Sequence, residues 1–533
     1  MIKTPEARTL TEAGAAELAA LIASGDISSA EAVERHIERI EEVNPKLNAV
    51  VWPLFERATA DAAKADKARK GPDGVGALHG VPITIKDQFE VEGAPSTWGL
   101  PSRAGQLAKS DGPLVKRLRE AGAIVLGITN VPQLLIYHES DNPVYGRCNN
   151  PWNAERVPGG SSGGEGSIIA AGGSPLGLAS DIGGSIRVPA HFCGVHGFKP
   201  TSRRLTTLDN PRFFDFGLEA IISQPGPLAR RVEDLELAMS VLAAPGQEKV
   251  DPGVPPVAWP DPRRVDPSKL RIATYIDDGF FPAAPGVRRA VGIAADALRA
   301  EGATVEAWTP PRVHDAIRIF YGLLSGDGGR SAKRALGSNP RTRQIKGLMQ
   351  VVDVPNAVRA GVAAALEAAG HPRLAFIMRS VRPISADQYW LLVEERNQYQ
   401  REFIAALDAG GFDAVICPPH ALPALTHGAS YYLGPAASYS MLYNLQGLPS
   451  GVISVTRVQA GEESDRKVSK DVVDKTAREV EQRSAGLPLG VQVAARHWRD
   501  DIVLAVMAAA ERRLKDRPDY PAGALAGASP RPA

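Results

Sequence analysis

Hydrophobic and polar residues alternate along the chain with two different periods, and these periods predict its secondary structure. Through residues 10–65, Ala, Leu and Ile recur at helical spacing among Glu, Arg and Lys, which predicts amphipathic helices. The clearest run, SSAEAVERHIERIEEVN, offers Ser29 as an N-cap and predicts His36 on the helix surface. In GVPITIKDQF the period changes to two, which predicts a short strand that ends at Lys86.

The following segments alternate between helix and strand. PLVKRLREAGAIVLGITNVP predicts a helix, a glycine turn and an apolar strand over residues 123–128. Later apolar runs predict strands in KLRIATYIDD, FDAVICPP and GLPLGVQVAAR, and RDDIVLAVMAAAERRL predicts a long helix. This alternation indicates an α/β fold with a sheet covered by helices.

Other stretches have their own composition. Residues 244–270 hold seven prolines and predict a surface connection between two halves of the chain. Residues 310–400 are predicted to be mainly helical, and SDRKVSKDVVDKTAREVEQRS predicts a charged, solvated helix. The Pro/Ala/Gly-rich tail at 518–533 is predicted to be disordered.

Composition excludes several classes of protein. The 533 residues are 44% hydrophobic, which allows a large core, and 61 Lys and Arg against 60 Asp and Glu do not indicate a nucleic-acid partner. Three widely separated cysteines without CxxC spacing predict neither a disulfide framework nor a structural zinc site. We find no signal peptide at the start and no apolar run of about 18 residues, so we expect no transmembrane segment and a reducing cytoplasmic location.

The run GGSSGGEGS at residues 159–167 is either a flexible linker or a loop that positions hydroxyl groups. It matches the G-x-S-x-G pattern of α/β-hydrolases, but the polar NNPWNAERVP precedes it instead of the buried strand which that motif requires. SDRK at residues 464–467 matches S-x-x-K, but lies in the most charged predicted helix. Neither match therefore identifies a site.

A second glycine-rich stretch, residues 174–201, places Ser185 directly after two glycines, where backbone N–H groups can form an oxyanion hole. A serine nucleophile needs a base. His191 and His196 are close in sequence but are expected to be core histidines. Lys86 is another candidate, because burial can lower the pKa of a lysine, although it could instead pair with Asp87.

Three motifs, GVPITIKD, GGSSGGEGS and DIGGSIRVPAHFCGVHGFKPT, together resemble the amidase signature family of serine hydrolases. Ser161 and Ser185 are 24 residues apart, the spacing of the two catalytic serines of that family. The resemblance extends through TNVPQ, GRCNNPWN, FDAVICPP and GLPLGVQVAARHWRDD, from about residue 8 to 515. It implies a large mixed central β-sheet with helices on both sides.

The resemblance also implies a role for each matching residue. Ser185 is expected to be the nucleophile, Ser161 the bridging serine beside a cis peptide bond, and Lys86 the base. The remaining implied positions fall into three groups: oxyanion-hole N–H groups of Ile182, Gly183, Gly184 and Ser185; supporting residues Ser162, Asp181 and Arg187; and acyl-side residues Leu135, Ile136 and Ile182. Protons would pass from Ser185 through Ser161 to Lys86, without a metal or cofactor.

The sequence is similar to the fatty acid amide hydrolase-like branch of the family, and it has Gln133 where many other members have Glu. This implies an amide hydrolase that forms a Ser185 acyl-enzyme and acts on fatty acid amides. Because residues 310–440 show no such similarity, a soluble aryl, short-chain or carbamate hydrolase stays an alternative, and an amidotransferase subunit is a third hypothesis.

The expected organisation is one amidase signature domain over residues 1–517. Within it we distinguish N-terminal helices (1–65), a catalytic core (66–210) and a helical insertion (about 310–400). The expected partner is a small-molecule amide and not a nucleic acid, and a homodimer is a hypothesis.

Overall fold

The computed structural model describes residues 10–69, 75–208, 218–521 and 524, and its centre is one mixed sheet. Its strands are β1 Val50–Pro53, β2 Pro82–Lys86, β3 Ile124–Thr129, β4 Leu176–Asp181, β5 His196–Lys199, β6 Gln224–Ala229, β7 Arg271–Thr274, β8 Thr304–Ala307, β9 Ala414–Cys417, β10 Ser450–Arg457 and β11 Pro488–Ala495. Their order across the sheet is β1-β3-β2-β4-β6-β5-β10-β11-β9-β7-β8. β2 is parallel to β3 and β4, whereas β4 and β6, and β10 and β11, are antiparallel.

Helices cover both faces of this sheet, as β3 shows. Val125 of β3 packs in the larger apolar cluster with Leu114, whereas Ile124 and Leu126 pack in a second cluster with Ile168. Since neighbouring residues of a strand point to opposite faces, each face has its own core. The predicted α/β fold with a large mixed sheet is confirmed.

The helices are numbered in chain order. They are α1 Ala15–Ser24, α2 Ser29–Leu47, α3 Phe55–Ala68, α4 Pro113–Glu120, α5 Gly163–Ala170, α6 Arg187–Cys193, α7 Val232–Leu242, α8 Pro285–Ala300, α9 Val313–Ser325, α10 Arg330–Leu336, α11 Arg343–Asp353, α12 Asn356–Ala368, α13 Pro372–Ser380, α14 Ala386–Ala409, α15 Ser430–Leu433, α16 Ser438–Gln446, α17 Val472–Glu481 and α18 Asp500–Leu514. The prediction that residues 310–400 are mainly helical is confirmed by α9 to α14.

Two expectations for α2 are wrong. The N-cap is Ser28 and not Ser29, because the side chain of Ser28 accepts a hydrogen bond from Glu31 N at 3.0 Å. His36 is fully buried, with Nδ1 2.8 Å from Ala32 O, and burial lowers its pKa to about 4. The physical reason is that α2 packs against α3, α5 and the sheet, so more than one side of it is covered.

The charged helix predicted over residues 464–484 is shorter than expected. Asp471 accepts a hydrogen bond from Val473 N at 2.8 Å and begins α17. Val473, Ala477 and Val480 are buried, so one face of this helix packs against the protein and is not solvated.

The residues directly after position 517, the predicted end of the domain, contact the rest of the protein. Asp519 accepts a hydrogen bond from Thr456 Oγ1 at 2.5 Å, and the hydroxyl of Tyr520 lies 3.2 Å from His196 Nε2. These contacts hold the chain as far as Pro521 against β10. Most of the predicted disordered tail lies outside the described residues, and the predicted domain boundaries stay predictions.

Candidate active site

Lys86 is the last residue of β2, and its side chain is fully buried. β2 is an interior strand between β3 and β4, so the end of the lysine side chain meets protein groups and not water. Lys86 Nζ lies 2.7 Å from Ser161 Oγ and 2.9 Å from Ser180 Oγ. Burial lowers the pKa of Lys86 to about 7, although the nearby carboxyl groups, chiefly Asp181 and Glu165, oppose the shift. Lys86 can therefore exchange a proton with Ser161 near neutral pH.

The alternative partner of Lys86 is engaged elsewhere. Asp87 accepts hydrogen bonds from the backbone N–H of Thr97, at 2.6 Å, and from its hydroxyl group. Among the described residues, Lys86 and Asp87 form no ion pair, so the buried ammonium is not explained by a strand-end salt bridge.

The run GGSSGGEGS forms a fixed loop and not a flexible linker. Every residue over 156–181 is buried. The Gly160–Ser161 peptide bond is cis, at the position where the resemblance places such a bond. Gly160 packs closely on backbone atoms, since a Cβ there would lie 2.5 Å from Tyr137 O. α5 then begins at Gly163.

Ser162, the residue after Ser161, joins the two segments that carry Ser161 and Ser185. Ser162 N donates to Ser185 O at 3.2 Å, and Ser162 Oγ donates to Ser180 O at 3.3 Å. The backbone of the Ser161 loop therefore lies directly against the backbone of Ser185. Sequence alone could not separate the neighbouring serines, but Lys86 contacts the hydroxyl of Ser161 and not that of Ser162.

Ser185 lies between the end of β4 and the start of α6 and is 5% exposed. Asp181 holds this turn, because Oδ1 accepts from Gly184 N at 2.7 Å and Oδ2 from Ile186 N at 3.1 Å. Arg187 forms two 2.9 Å hydrogen bonds with the same carboxylate, and both side chains are fully buried. Burial alone would raise the pKa of Asp181, but the charge of Arg187 holds it well below its usual range. The turn is thus fixed by the buried ion pair between Asp181 and Arg187.

The four predicted oxyanion-hole N–H groups differ in whether they already have a hydrogen-bond acceptor within the protein. Gly184 N–H is occupied by Asp181, so for Gly184 the expectation needs correction. The N–H groups of Ile182, Gly183 and Ser185 have no acceptor among the described residues. Because buried N–H groups are nearly always paired, these three can receive an external oxygen.

The predicted acyl-side residues are half-buried. Leu135, Ile136 and Ile182 each keep part of their surface exposed. Ile136 packs against a cluster from α10 and α11 that includes Leu336 and Ile345, whereas Leu135 is not part of that cluster. Their role in substrate binding stays a prediction.

Sequence reasoning missed several polar and aromatic side chains around these serines. Ser180 bridges Lys86 and the side-chain oxygen of Gln88. His138 Nε2 lies 3.1 Å from Gly183 O, and the ring of Phe320 lies 3.3 Å from where a Cβ on Gly183 would be. Neither His138 nor Phe320 belongs to a motif, although Phe320 lies in the aromatic stretch FYGLLSGDGG.

The two histidines near Ser185 in sequence are core residues, as expected. His191 accepts from Gly490 N at 2.8 Å and lies 3.1 Å from Leu422 O. His196 accepts from Ser454 N at 3.2 Å. The rival motifs also do not form a site: the loop before Ser162 is not a strand, and Lys467 is exposed.

Two other structural features bear on chemistry. Within the part of the chain that the structure describes, no three His, Cys, Asp or Glu side chains gather in a way that could hold a metal ion. Of the described helices, none is both long and apolar enough to cross a membrane.

Comparison with known proteins identifies the family. The pattern of the Amidase family matches residues 31–504. The chain belongs to this family. It is 34% identical to fatty-acid amide hydrolase 1 of Sus scrofa over 503 residues, which cover 93% of this chain and 85% of the relative.

Solved structures of amidases have the same fold. A fatty acid amide hydrolase matches with a TM-score of 0.84 at 26% identity, covering 96% of this chain and 86% of that chain. A bacterial aryl acylamidase of the amidase signature family matches with a TM-score of 0.70 at 25% identity, covering 97% and 99%. The resemblance to the fatty acid amide hydrolase-like branch is confirmed, and the protein is an amide-bond hydrolase.

Proposed function

We propose that Ser185 is the nucleophile of this amidase, that Ser161 relays protons and that Lys86 is the base. The observation that carries the proposal is the 2.7 Å contact between Lys86 Nζ and Ser161 Oγ in a fully buried site. The hydrogen bond from Ser162 N to Ser185 O supports it, because it brings the two serine segments together.

The proposed reaction begins with neutral Lys86. Lys86 Nζ takes the proton of Ser161 Oγ, which takes the proton of Ser185 Oγ as that oxygen bonds to the amide carbonyl carbon. The carbon–nitrogen bond then breaks while the relay returns the proton to the leaving nitrogen, so that an amine leaves and not an amide anion. Water attacks the Ser185 ester by the same relay and releases the carboxylic acid.

The N–H groups of Ile182, Gly183 and Ser185 are the proposed oxyanion donors. They are free of acceptors among the described residues and belong to the turn that carries the nucleophile. Because Asp181 and Arg187 hold this turn, the donors keep their orientation while the negative charge develops.

We propose fatty acid amides as the substrate class, with aryl or short-chain amides as the second candidate. The first is supported by the 34% identity to a fatty-acid amide hydrolase. The second is supported by the similarity to an aryl acylamidase. The apolar, half-buried side chains of Leu135, Ile136 and Ile182 suit an apolar acyl group in both cases.

A series of p-nitroanilides separates the two substrate classes. If an extended acyl site exists, kcat/KM rises about fourfold per added methylene, since each buried methylene contributes about 0.8 kcal/mol. A rise that continues to eighteen carbons supports a fatty acid amide hydrolase. A maximum at short or aryl acyl groups instead favours the second candidate.

If the protein is a free-standing enzyme, we expect the purified chain to hydrolyse amides alone, without the partner that an amidotransferase subunit needs.

We also propose a cytoplasmic location, which is supported by three free, buried thiols, Cys148, Cys193 and Cys417. Cell fractionation tests the location. Sedimentation equilibrium tests the homodimer hypothesis.

A further inference from the structure

Glu165 lies in the first turn of α5, inside the GGSSGGEGS run, and its carboxyl group is fully buried. Among the described residues, no lysine or arginine is in ion-pair contact with it. A buried carboxyl group without a cation in contact is costly. Because Glu165 lies in the same run as Ser161, this costly burial points to a role near the proposed catalytic serines.

Three strands of the sheet form a slot for this carboxyl group. Thr84 Oγ1 of β2 donates to Oε2 at 2.6 Å, and Thr129 Oγ1 of β3 donates to Oε1 at 2.9 Å. On β4, a Cβ at Gly177 would lie 1.9 Å from Oε2, so only glycine leaves room there. The slot fixes both oxygens of the carboxyl group.

The slot also places Glu165 beside Lys86. Thr84 is two residues before Lys86 on β2, so the two side chains leave the same face of the strand. Thr129 is the register partner of Lys86 on β3. Glu165 therefore shares one face of the sheet with Lys86, at a distance where its charge raises the pKa of Lys86.

Burial acts on the two groups in opposite directions. It raises the pKa of Glu165 to about 8, partly offset by the hydroxyl donors and by Lys86, and lowers the pKa of Lys86 to about 7. Lys86 therefore loses its proton first as the pH rises, and Glu165 ionises above it, at about pH 8, where its charge begins to act on Lys86.

The elements packed against α5 bring few other charged or titratable groups. β3 and β6 carry none, and the charge of Asp181 is already engaged by Arg187. His36 and His191 are buried, and burial lowers the pKa of each to about 4, so both are neutral near pH 7. The groups on the packed elements are Lys86 of β2, Asp181 of β4, Arg187, His191 and Cys193 of α6, and His36 and the surface charges of α2. Burial raises the pKa of the Cys193 thiol well above its usual value, so it is neutral in this range.

We propose that Glu165 is a positioning residue that sets how strongly Lys86 holds its proton. The inference rests on the proposed function, in which Lys86 takes the proton of Ser161 and later returns it. Above about pH 8, the ionised carboxyl group of Glu165 stabilises the ammonium group while Lys86 carries that proton. Glu165 itself neither contacts the substrate nor gains or loses a proton over the whole cycle.

The test measures the rate at which a fluorophosphonate labels Ser185 as a function of pH, in the intact enzyme. This readout needs no knowledge of the substrate, because the reagent reports only how well the serine is activated. In wild type we expect a second rise of the labelling rate near pH 8, as Glu165 ionises. In Glu165→Gln, which keeps the size and the hydrogen-bonding capacity, we expect the first rise to stay and the second to be lost. We also expect a lower rate on the plateau, because Lys86 becomes a weaker base.

Thr129→Val is the second variant if Glu165→Gln does not fold. Valine keeps the shape but removes one donor to Glu165, so the carboxyl group ionises less readily and the second rise moves to higher pH. A second rise that persists in Glu165→Gln, or that Thr129→Val leaves in place, would overturn the role of Glu165. Mass spectrometry of the labelled peptide separates the two proposals, because labelling of wild type at another residue contradicts the proposed function itself.

Discussion

The segment over residues 156–199 and the predicted helical insertion at about 310–400 are built in different ways. In the first segment only Ile182 keeps more than a small part of its surface exposed. In the second, α12 exposes Val358 and Val362, and α14 exposes Trp390 and Leu391, at 73% and 64% of their surfaces. The first segment tolerates few side chains at each position, whereas the surface of the second tolerates many.

Ion pairs show the same contrast. Arg187 and Asp181 are fully buried, and each carries hydrogen bonds to backbone atoms of neighbouring elements. Arg401 and Glu394 of α14 are 66% and 65% exposed, and they lie 3.1 Å from each other. This difference explains why family motifs are recognisable in the first region and not in the second.

The largest expected effect comes from Lys86. We expect Lys86→Met to reduce kcat/KM by about 10⁴-fold, since the relay then lacks its base. The matched control is Lys199→Met, because Lys199 is also buried with its pKa lowered to about 7, but it donates to backbone oxygens of Pro200 and Leu448. If both variants lose activity equally while folded, burial and not position explains the effect, and the proposal for Lys86 fails.

The second comparison applies one substitution to both regions. Arg187→Met leaves Asp181 buried without its cation, and we expect the free energy of unfolding to fall by about 3–5 kcal/mol. Arg401→Met removes an exposed pair and is expected to cost less than about 1 kcal/mol. Urea denaturation measures both. Equal losses would contradict the contrast between the two regions.

The pH dependence of kcat/KM gives the third prediction. Because burial lowers the pKa of Lys86 to about 7, the lysine is protonated and inactive as a base below that pH. We expect kcat/KM to fall about tenfold per pH unit well below the midpoint, and about 50-fold between pH 7 and pH 5. Circular dichroism at pH 5 controls for unfolding. A flat profile down to pH 5 would rule out Lys86 as the base.

The residues of the candidate site were predictable to different degrees. Lys86, Ser161 and Ser185 belong to motifs, because the reaction restricts both residue type and spacing. Glu165 lies in the same motif, but its carboxyl group meets Thr84 and Thr129 from distant strands. No local pattern shows such a contact, since a strand's neighbours in the sheet are not its neighbours in sequence.

Fold predictions failed where tertiary packing decides. Ser28 caps α2 by accepting from Glu31 N, but the sequence offers two adjacent serines as candidate N-caps. The period of α2 shows one apolar face but not that further elements cover His36. His138 and Phe320 reach Gly183 only because α9 and the segment after β3 meet at that turn.

A smaller effect than that of Arg187→Met is expected where the segment after β3 meets the residues just before α11. Gln133 Nε2 donates to Pro340 O at 2.7 Å and its Oε1 accepts from Thr342 N at 3.0 Å, just before α11. Glu at this position keeps the acceptor but loses the donor, so Gln133→Glu is expected to cost about 1–3 kcal/mol of unfolding free energy. Gln106→Glu is the matched control, because Gln106 also donates to a backbone oxygen but is exposed.

The same variant shows whether the insertion contributes to substrate choice. If α11 helps to shape the acyl site, Gln133→Glu lowers kcat/KM for long-chain p-nitroanilides more than for the acetyl compound. Ile136 and Tyr137 pack against the cluster of α10 and α11, so a shift of this helix reaches the acyl side of the site before it reaches the serines. An equal reduction for both substrates would place the effect at the serines, and the insertion would then have no part in recognising the acyl chain.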